Sequence, residues 1–312
     1  MIKIGVVGTG GWGKNHVRVL SELGCLAAIC DLDKGRMAEF SKKYGVPGYA
    51  SLEEMLKRER LDAANICTPA STHFSMASKT LAAGLHTFVE KPMTTTSSEG
   101  EKLLEMAKSF NRALTVGFIE RFNPPITELK KTISNKSMGD LILLEFHREN
   151  RRGEGISDVG IVKDASVHDI DTARWLFAEE PKVVFARVGA FYPPLQHEDF
   201  ATIMLGFSGR KTAFLVTNWI TPNRVRTLTA VFSGAVIDVD FVTQQTSVHE
   251  RNMTTVPSRP FQEPLTLELK EWVAALTEGR KALVTGEDGL KTTRVAEAVL
   301  ASSSTGTPIY LS

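Results

Sequence analysis

Residues 2–13 read IKIGVVGTGGWG, and this stretch decides the fold of the first third of the chain. The apolar run IKIGVVG predicts a buried β-strand, and glycines follow it at positions 8, 10 and 13 in G-x-G-x-x-G spacing. The next residues, GWGKNHVRVLSEL, predict a helix that ends at Gly24. The glycine pattern is weak by itself, because glycines are common in turns. Between a strand and a helix, however, it predicts a binding site for the pyrophosphate of a dinucleotide.

The same alternation of strand and helix continues to about residue 117. Further short apolar runs predict strands at CLAAICD, DAANICT, LHTFVE and ALTVGF. Helical patterns separate these runs at DKGRMAEFSKKYG, at SLEEMLKRE, from Thr72 to Gly84 and near Ser98 to Phe110. Ser51 and Glu54 have the spacing of a capping box at the start of SLEEMLKRE. Such an alternation requires right-handed crossovers, so it predicts a doubly wound parallel sheet with helices on both faces.

After Gly117 the pattern changes to strands joined by short turns. The segment FNPPITELKKTIS predicts a helix with Pro124 in its first turn. Strand-like stretches follow at LILLEFHRE, VVFARVGAFY, DFATIMLGF, RKTAFLVTN, RTLTAVF and AVIDVDF. A helix from about Asp164 to Phe177 interrupts them, and two helices close the chain. We therefore predict two domains: residues 1–121 bind the dinucleotide, and residues 122–312 form an α+β domain with a large, mostly antiparallel open sheet.

The composition excludes several classes of protein. The 312 residues include 37 Lys and Arg and 36 Asp and Glu, and a net charge of +1 is too small for a general nucleic-acid binder. No run of about 18 apolar residues predicts a membrane span, and the N-terminus does not resemble a signal peptide. Cys25, Cys30 and Cys67 have neither disulfide nor zinc-site spacing, so no metal is expected. These features predict a soluble, cytoplasmic protein.

The glycine loop and the end of the second predicted strand together indicate the cofactor. The residues expected to surround its pyrophosphate are Gly8, Gly10, Gly11, Trp12 and Gly13. Asp31 ends the second strand, where a carboxylate receives the ribose hydroxyls of NAD and repels the 2′-phosphate of NADP. NAD is therefore the expected cofactor. Two alternatives stay open: Asp31 caps the helix that starts near Asp33, or Arg36 lies close enough to allow some binding of NADP.

Lys91 is the first candidate for the chemistry. It belongs to Glu90-Lys91-Pro92, which follows the strand LHTFV and so lies at the carboxyl edge of the sheet, where such folds bind ligands. An enzyme that oxidises an alcohol with a nicotinamide cofactor needs a group that takes the hydroxyl proton. A lysine at this edge can polarise that hydroxyl. The alternative is a solvated lysine at the end of a strand.

The helix near Asp164 carries a second set of candidates. At helical spacing, one face presents Asp164, His168, Asp171 and Trp175. A row of acid, imidazole and acid is unusual on a helix that apolar residues anchor, and histidine titrates near neutrality, as a proton acceptor must. The alternatives are that Asp164 only caps the helix and that Asp171 pairs with Arg174.

These segments together resemble the Gfo/Idh/MocA family, named after glucose–fructose oxidoreductase and inositol dehydrogenase. The residues that carry the resemblance are the glycine loop, Thr68-Pro69 with His73, Glu90-Lys91-Pro92, and Asp164 with His168, in that order. The resemblance implies a Rossmann domain followed by an α/β domain, and it implies catalytic roles for Lys91 and His168 with support from Asp164. The residues it assigns to the nicotinamide side are Thr68, Pro69, His73, Glu90 and Lys91. Without the resemblance, His73 would be interpreted as a packed or capping histidine. Arg121, which follows the last predicted strand of the first domain, is also expected to bind the cofactor.

Two stretches narrow the resemblance. GFIERFNPPI and DVGIVKDASVHDIDTARWL are similar to archaeal nucleotide-sugar dehydrogenases that act on C3 of UDP-N-acetylglucosamine. A basic segment with Arg148, Arg151 and Arg152 precedes the helix of His168, and clustered arginines suit a diphosphate because each donates paired hydrogen bonds. Arg151 and Arg152 are therefore expected to bind the substrate together with Lys91, Asp164 and His168. The alternative is a solvated basic loop.

Two other functions stay open. The substrate can be a free polyol or simple sugar such as inositol, or the chain can be a catalytically silent dinucleotide-binding regulator. The intact Lys91 and His168 argue against a silent regulator. DFATIMLGF and RKTAFLVTN carry apolar residues on both faces, which predicts a homodimer or homotetramer packed through the sheet of the second domain.

Overall fold

The computed structural model describes residues 2–151, 158–191 and 197–311. The chain divides into two compact units. The first comprises Met1–Phe118 and Leu265–Thr293, and the second comprises Ile119–Pro264 and Arg294–Ser312.

The first unit is built on a parallel sheet. Its strands are β1 (Ile4–Val7), β2 (Leu26–Cys30), β3 (Gly48–Tyr49), β4 (Ala63–Ile66), β5 (His86–Glu90) and β6 (Leu114–Gly117). The helices between them are α1 (Gly13–Glu22), α2 (Lys34–Tyr44), α3 (Leu52–Arg58), α4 (His73–Ala82) and α5 (Ser97–Ser109). The strand order is β3-β2-β1-β4-β5-β6, and neighbouring strands pair in parallel. The strand order reverses beside β1, the point at which doubly wound sheets open a ligand crevice. The prediction of a doubly wound Rossmann domain is confirmed.

Side-chain caps determine where several of these helices begin. The Asp33 carboxylate accepts a hydrogen bond from the Arg36 backbone N–H at 3.0 Å and caps α2. Ser51 caps α3 as predicted, accepting from the Glu54 N–H at 3.2 Å. A capping box with both of its bonds forms instead at Thr96 and Glu99, at the start of α5. Sequence inspection missed this second box.

The second unit is a mostly antiparallel sheet covered by helices. It begins with α6 (Pro124–Asn135), β7 (Leu141–Glu149) and α7 (Val167–Phe177). The further strands are β8 (Val183–Gly189), β9 (Phe200–Gly206), β10 (Thr212–Asn218), β11 (Val225–Phe232), β12 (Val236–Asp240), β13 (Thr246–Glu250), β14 (Met253–Thr255) and β15 (Ile309–Tyr310). The order is β14-β13-β12-β11-β7-β10-β9-β8-β15, with β7 and β10 parallel and the other neighbours antiparallel. This confirms the predicted mostly antiparallel sheet.

The core of the second unit lies on one face of this sheet. Along β7 the side chains of Leu144 and Phe146 are buried, whereas Glu145 and His147 are exposed. The buried face packs against residues of α6, α7 and the C-terminal part of helix α9 (Gly286–Thr305). The opposite face keeps large apolar side chains exposed, among them Ile142, Phe185 and Phe214.

The helix that carries His168 begins differently from the prediction. Residues Val162–Ser166 form a π-helical turn, which continues directly into α7. A π turn is wider than the α-helical turn of about 3.6 residues, so Asp164 and His168 are not related by ordinary α-helical spacing. His168, Asp171 and Trp175 keep their α-helical spacing.

The division into units also differs from a single boundary at residue 121. Helix α8 (Pro264–Glu278) and the start of α9 belong largely to the first unit. Trp272, which is 1% exposed, packs its ring 5.1 Å from that of Phe88 on β5. This contact is long-range, so local sequence patterns do not show it.

In the described ranges, no helix has both the length and the apolar composition that a membrane crossing requires.

Candidate active site

The loop between β1 and α1 is shaped by its glycines. Gly8 has φ +90°, and a Cβ there would lie 2.7 Å from the carbonyl oxygen of Cys67. A Cβ on Gly13 would lie 2.0 Å from the carbonyl oxygen of Gly8, so the helix approaches the strand this closely only with glycine. Among the described residues, no heavy atom lies within 4 Å of the Cβ position of Gly11. The loop is therefore closed on its strand side and open at Gly11, as a pyrophosphate cradle requires.

The start of α1 suits an anion. Trp12 is its N-cap residue, and within the described chain no side chain caps this helix and no acidic residue lies in its first turn. The first backbone N–H groups of a helix carry a partial positive charge and have no partner inside the helix. The residues present thus fit the pyrophosphate of NAD.

Asp31 lies at the end of β2 and binds its own chain. Its Oδ2 accepts hydrogen bonds from the Thr9 backbone N–H at 2.7 Å and from the Thr9 hydroxyl at 2.8 Å. Arg36 donates from Nη2 to Oδ1 at 3.0 Å and from Nε to Oδ2 at 3.2 Å. Burial raises the pKa of Asp31, but the hydrogen bonds from Arg36, Thr9 and Asp33 outweigh it and lower the pKa to about 2. Asp31 is therefore ionised at neutral pH, and Asp33 rather than Asp31 caps α2.

Glu90 connects three parts of the first unit. Its Oε1 accepts from the Trp12 indole N–H at 3.1 Å and lies 2.9 Å from Nε2 of His16. Its Oε2 accepts from the Lys91 backbone N–H at 3.1 Å. Burial raises the pKa of Glu90, but the hydrogen bond from His16 and the positive charge of Lys91 lower it below its usual value. An ionised carboxylate is thus held at the carboxyl end of β5, beside Lys91.

His16 is a site residue that sequence reasoning missed. It is fully buried, and its Nδ1 lies 3.1 Å from the Asn65 side-chain amide on β4. Because an amide N–H donates to Nδ1, Nε2 carries the ring proton and donates to Glu90. The available signal was a polar residue on the apolar face of α1, beside Val17 and Leu20.

His73 ties two loops of the same edge together. It is 1% exposed, with Nδ1 2.7 Å from the Pro92 carbonyl oxygen and Nε2 2.9 Å from the Thr68 carbonyl oxygen. Thr68 and Pro69 follow β4, and Lys91 and Pro92 follow β5. The carboxyl ends of parallel strands meet at one edge, so the glycine loop, Asp31, Thr68 and Lys91 all belong to that edge. This juxtaposition is the one the sequence predicted.

The second unit carries the other predicted catalytic residues. Asp164 lies in the π turn, His168 lies in the first turn of α7, and both are partly buried. Asp171 is 1% exposed and forms an ion pair with Arg121, with Nη2–Oδ1 at 2.6 Å and Nε–Oδ2 at 2.8 Å. The expected partner of Asp171, Arg174, is also present, at a longer 3.5 Å.

Two of the predicted arginines lie in buried ion pairs. Arg121 was expected to bind the cofactor, but it is 3% exposed and its guanidinium is held by Asp171. Arg148 was expected to meet a diphosphate, but it is 2% exposed, and it pairs with Asp169 at 2.8 Å and with Glu120 at 3.0 Å. Both arginines therefore serve buried ion pairs. Arg151 is exposed, and Arg152 lies outside the described residues.

Three known domain families match the chain. The description "Oxidoreductase family, NAD-binding Rossmann fold" matches residues 2–118. The descriptions "GFO/IDH/MocA C-terminal domain" and "Oxidoreductase family, C-terminal alpha/beta domain" match residues 126–237 and 217–311.

Individual relatives are similar over nearly the whole chain. UDP-N-acetylglucosamine 3-dehydrogenase of Acidithiobacillus ferrooxidans is 26% identical, over 96% of this chain and 95% of that protein. Its crystal structure matches with a TM-score of 0.89 at 25% identity, over 97% of this chain and 98% of the other. An inositol 2-dehydrogenase of Rubrobacter xylanophilus is 27% identical, over 98% of this chain and 92% of that protein. The first relative is bacterial, so the expected similarity to archaeal dehydrogenases is not supported.

A dehydrogenase of Bordetella pertussis, solved with NADH and UDP-GlcNAcA, matches with a TM-score of 0.86 over 100% of this chain and 99% of the other. At 21% identity it shows the shared fold alone.

The fold and the carboxyl-edge site define an NAD-dependent oxidoreductase. The chain belongs to the Gfo/Idh/MocA family and is one of its sugar or polyol oxidoreductases.

Proposed function

We propose that this chain oxidises one secondary hydroxyl of a nucleotide sugar, with the C3 hydroxyl of UDP-N-acetylglucosamine as the candidate. The observation that carries the chemistry is the placement of Lys91 beside the ionised Glu90, at the same sheet edge as the glycine loop. The similarity to the 3-dehydrogenase of Acidithiobacillus ferrooxidans over 96% of the chain supports the substrate class.

In this proposal each residue has a defined task. Bound NAD⁺ supplies the chemistry of accepting a hydride from the carbon that bears the hydroxyl. Lys91 binds and polarises that hydroxyl, and His168 accepts its proton as the carbonyl forms. Asp164 supports His168. Thr68, Pro69 and Glu90 keep their proposed places on the nicotinamide side, where His73 holds the Thr68 and Pro92 loops together. The glycine loop and Asp31 hold the pyrophosphate and the ribose.

A free polyol is the second candidate substrate. The inositol 2-dehydrogenase of Rubrobacter xylanophilus is 27% identical over 98% of the chain, which is comparable with the nucleotide-sugar relative. A polyol brings no charge, whereas a nucleotide sugar brings a diphosphate that needs cations.

NADH absorbance tests the proposal directly. Purified protein with NAD⁺ is offered UDP-N-acetylglucosamine, free N-acetylglucosamine and myo-inositol. We expect kcat/KM for the nucleotide sugar to exceed the other two by at least about 100-fold, since binding energy from a remote, non-reacting group can assist the transition state. Higher efficiency with inositol or the free sugar would favour the polyol function, and no turnover with any of them would favour a silent regulator.

A further inference from the structure

Arg226 stands directly opposite another arginine. The antiparallel register of β7 and β11 pairs Arg226 with Arg148, next to the pair of Leu228 with Phe146. Residues that face each other across neighbouring strands share one face of the sheet, so Arg226 lies on the face that the core covers. Like charges placed directly opposite each other are destabilising. The two guanidinium groups therefore need anions nearby.

The nearby carboxylates form their hydrogen bonds with Arg148. Its Nε lies 3.0 Å from both carboxylate oxygens of Asp169, and its Nη2 lies 3.0 Å from Oε1 of Glu120. Among the described residues neither carboxylate forms an ion pair with Arg226. The Nε atom of Arg226 is buried, and no described residue supplies a hydrogen-bond acceptor for it.

The surroundings of Arg226 disfavour its charge. Burial is the main cause that lowers the pKa of Arg226 to about 10; the positive charges of Arg148 and Arg224 act in the same direction, and the negative charges of Glu120 and Asp169 oppose them. Arg226 is nevertheless a cation at neutral pH. Buried charges in proteins are normally paired, and among the described residues Arg226 has no carboxylate within ion-pair distance and its Nε has no acceptor.

Arg226 can also be reached by a ligand. It keeps exposed surface, whereas Arg148 is only 2% exposed. Strand β7 ends and β11 begins at the same end of the sheet, where Arg151 and Arg224 are exposed. The bond between Arg148 and Asp169 fixes the first turn of α7 at this end, and His168 directly precedes Asp169. The unpaired cation thus lies close to the helix that carries the proposed proton acceptor.

We infer that Arg226 binds the anionic part of the substrate, and that this part is the diphosphate of a nucleotide. A planar guanidinium donates two parallel hydrogen bonds to phosphate oxygens, which a neutral pocket for a polyol does not need. The inference rests on the proposed function, because that function supplies the diphosphate. It gives Arg226 the task that the sequence suggested for Arg148.

Titration calorimetry of the full chain, saturated with NAD⁺, tests the inference with UDP, uridine and D-glucuronate. We expect Arg226→Met to weaken UDP binding about 10-fold or more and to leave uridine unchanged, because only UDP carries the diphosphate. Arg226→Lys keeps the charge without the planar fork and should lose part of the affinity. Arg210→Met is the control, because Arg210 is an exposed arginine of the same unit, in the turn between β9 and β10.

Thermal unfolding separates this role from a structural one. Replacing an unpaired buried cation by methionine should keep or raise the melting temperature of the free protein. A lower melting temperature together with equal losses of UDP and uridine binding would identify a structural arginine and overturn the inference.

The remaining outcomes distinguish the inference from the proposed function. Unchanged UDP affinity in Arg226→Met, with normal oxidation of UDP-N-acetylglucosamine by the wild type, rejects the inference and leaves the function standing. Weakened UDP binding without turnover of any UDP-sugar supports the inference and rejects the function. Loss of glucuronate binding alone would assign Arg226 to a carboxylate and reject the diphosphate.

Discussion

At the scale of single residues, Glu90 organises the first unit around Lys91. Its carboxylate binds the Trp12 indole and His16 through one oxygen and the Lys91 backbone through the other. Gly117 lies opposite Glu90 on β6, and a Cβ there would lie 2.7 Å from Oε1. The neighbouring strand therefore leaves room for the carboxylate only because it carries glycine. These contacts fix the backbone at the end of β5, and so they fix the position from which the Lys91 side chain extends.

Lys91 and His168 give the residue-scale prediction. We expect Lys91→Ala and His168→Ala each to lower kcat by about 10²–10⁴-fold, the usual effect of removing a positioned proton-transfer group. The affinity for NAD⁺, measured by fluorescence titration, should change far less than kcat. Lys102→Ala, on α5, is the control and should keep normal turnover. Near-normal kcat in either variant at saturating substrate would reject that residue's role.

At the scale of elements, the connection from β2 to α2 depends on one ionised carboxylate. Asp31 at the end of the strand receives both Thr9 from the glycine loop and Arg36 from the helix. In the proposed cofactor site, the ribose of NAD would share this carboxylate with Arg36. The same carboxylate thus shapes the loop and offers an acceptor to the cofactor.

The low pKa of Asp31 predicts an acid-sensitive contribution to stability. Its folded pKa of about 2 lies below the unfolded value of about 3.9, so its contribution is complete above pH about 4 and is lost as the pH falls towards 2. Urea unfolding should show Asp31→Asn clearly less stable than wild type at pH 7, with a difference that shrinks by pH 3. The same variant should also weaken NAD⁺ binding.

Asp33→Asn is the matched control for this element. Asparagine caps helices about as well as aspartate, so this variant should stay close to wild type at each pH. A stability difference for Asp31→Asn that does not vary between pH 7 and pH 3 would contradict the assigned pKa.

At the scale of the whole molecule, the uncovered sheet face of the second unit predicts self-association. Phe185, Met204 and Phe214 lie side by side across β8, β9 and β10, and both phenylalanines are exposed in the single chain. Exposed apolar surface of this kind usually marks an interface. We propose a homodimer or homotetramer that covers this face.

Light scattering at micromolar concentration measures the assembly. The wild type should be a dimer or tetramer, and Phe214→Glu should shift it towards the monomer by placing a charge on the apolar face. Phe110→Glu, at an exposed phenylalanine that ends α5 in the first unit, should leave the assembly intact. A monomeric wild type would refute the proposal.

Much of the first unit was predictable because its signals are local. The glycine spacing, the short apolar runs and the position of Lys91 after β5 depend on neighbouring residues alone. The π turn at Val162–Ser166 was not predictable, because the spacing of its side chains also fits an ordinary α-helix. The unit membership of α8 was missed for another reason: Trp272 meets Phe88 across more than half of the chain.

The sequence by itself determined that one sheet is parallel and the other mostly antiparallel, where the cofactor loop lies, and that the cofactor is NAD. Strand periodicity and motif spacing are properties of consecutive residues, so they can be read without the fold. Only the tertiary structure decided which charged residues are available to a ligand. In the sequence, nothing distinguishes Arg148 and Arg121 from surface arginines. In the folded chain both are buried, and Asp169 and Asp171 of α7 neutralise their charges. Arg226 shares the buried face with Arg148 yet forms no ion pair among the described residues. Pairing of charges depends on distances between remote segments, and those distances exist only once the chain has folded.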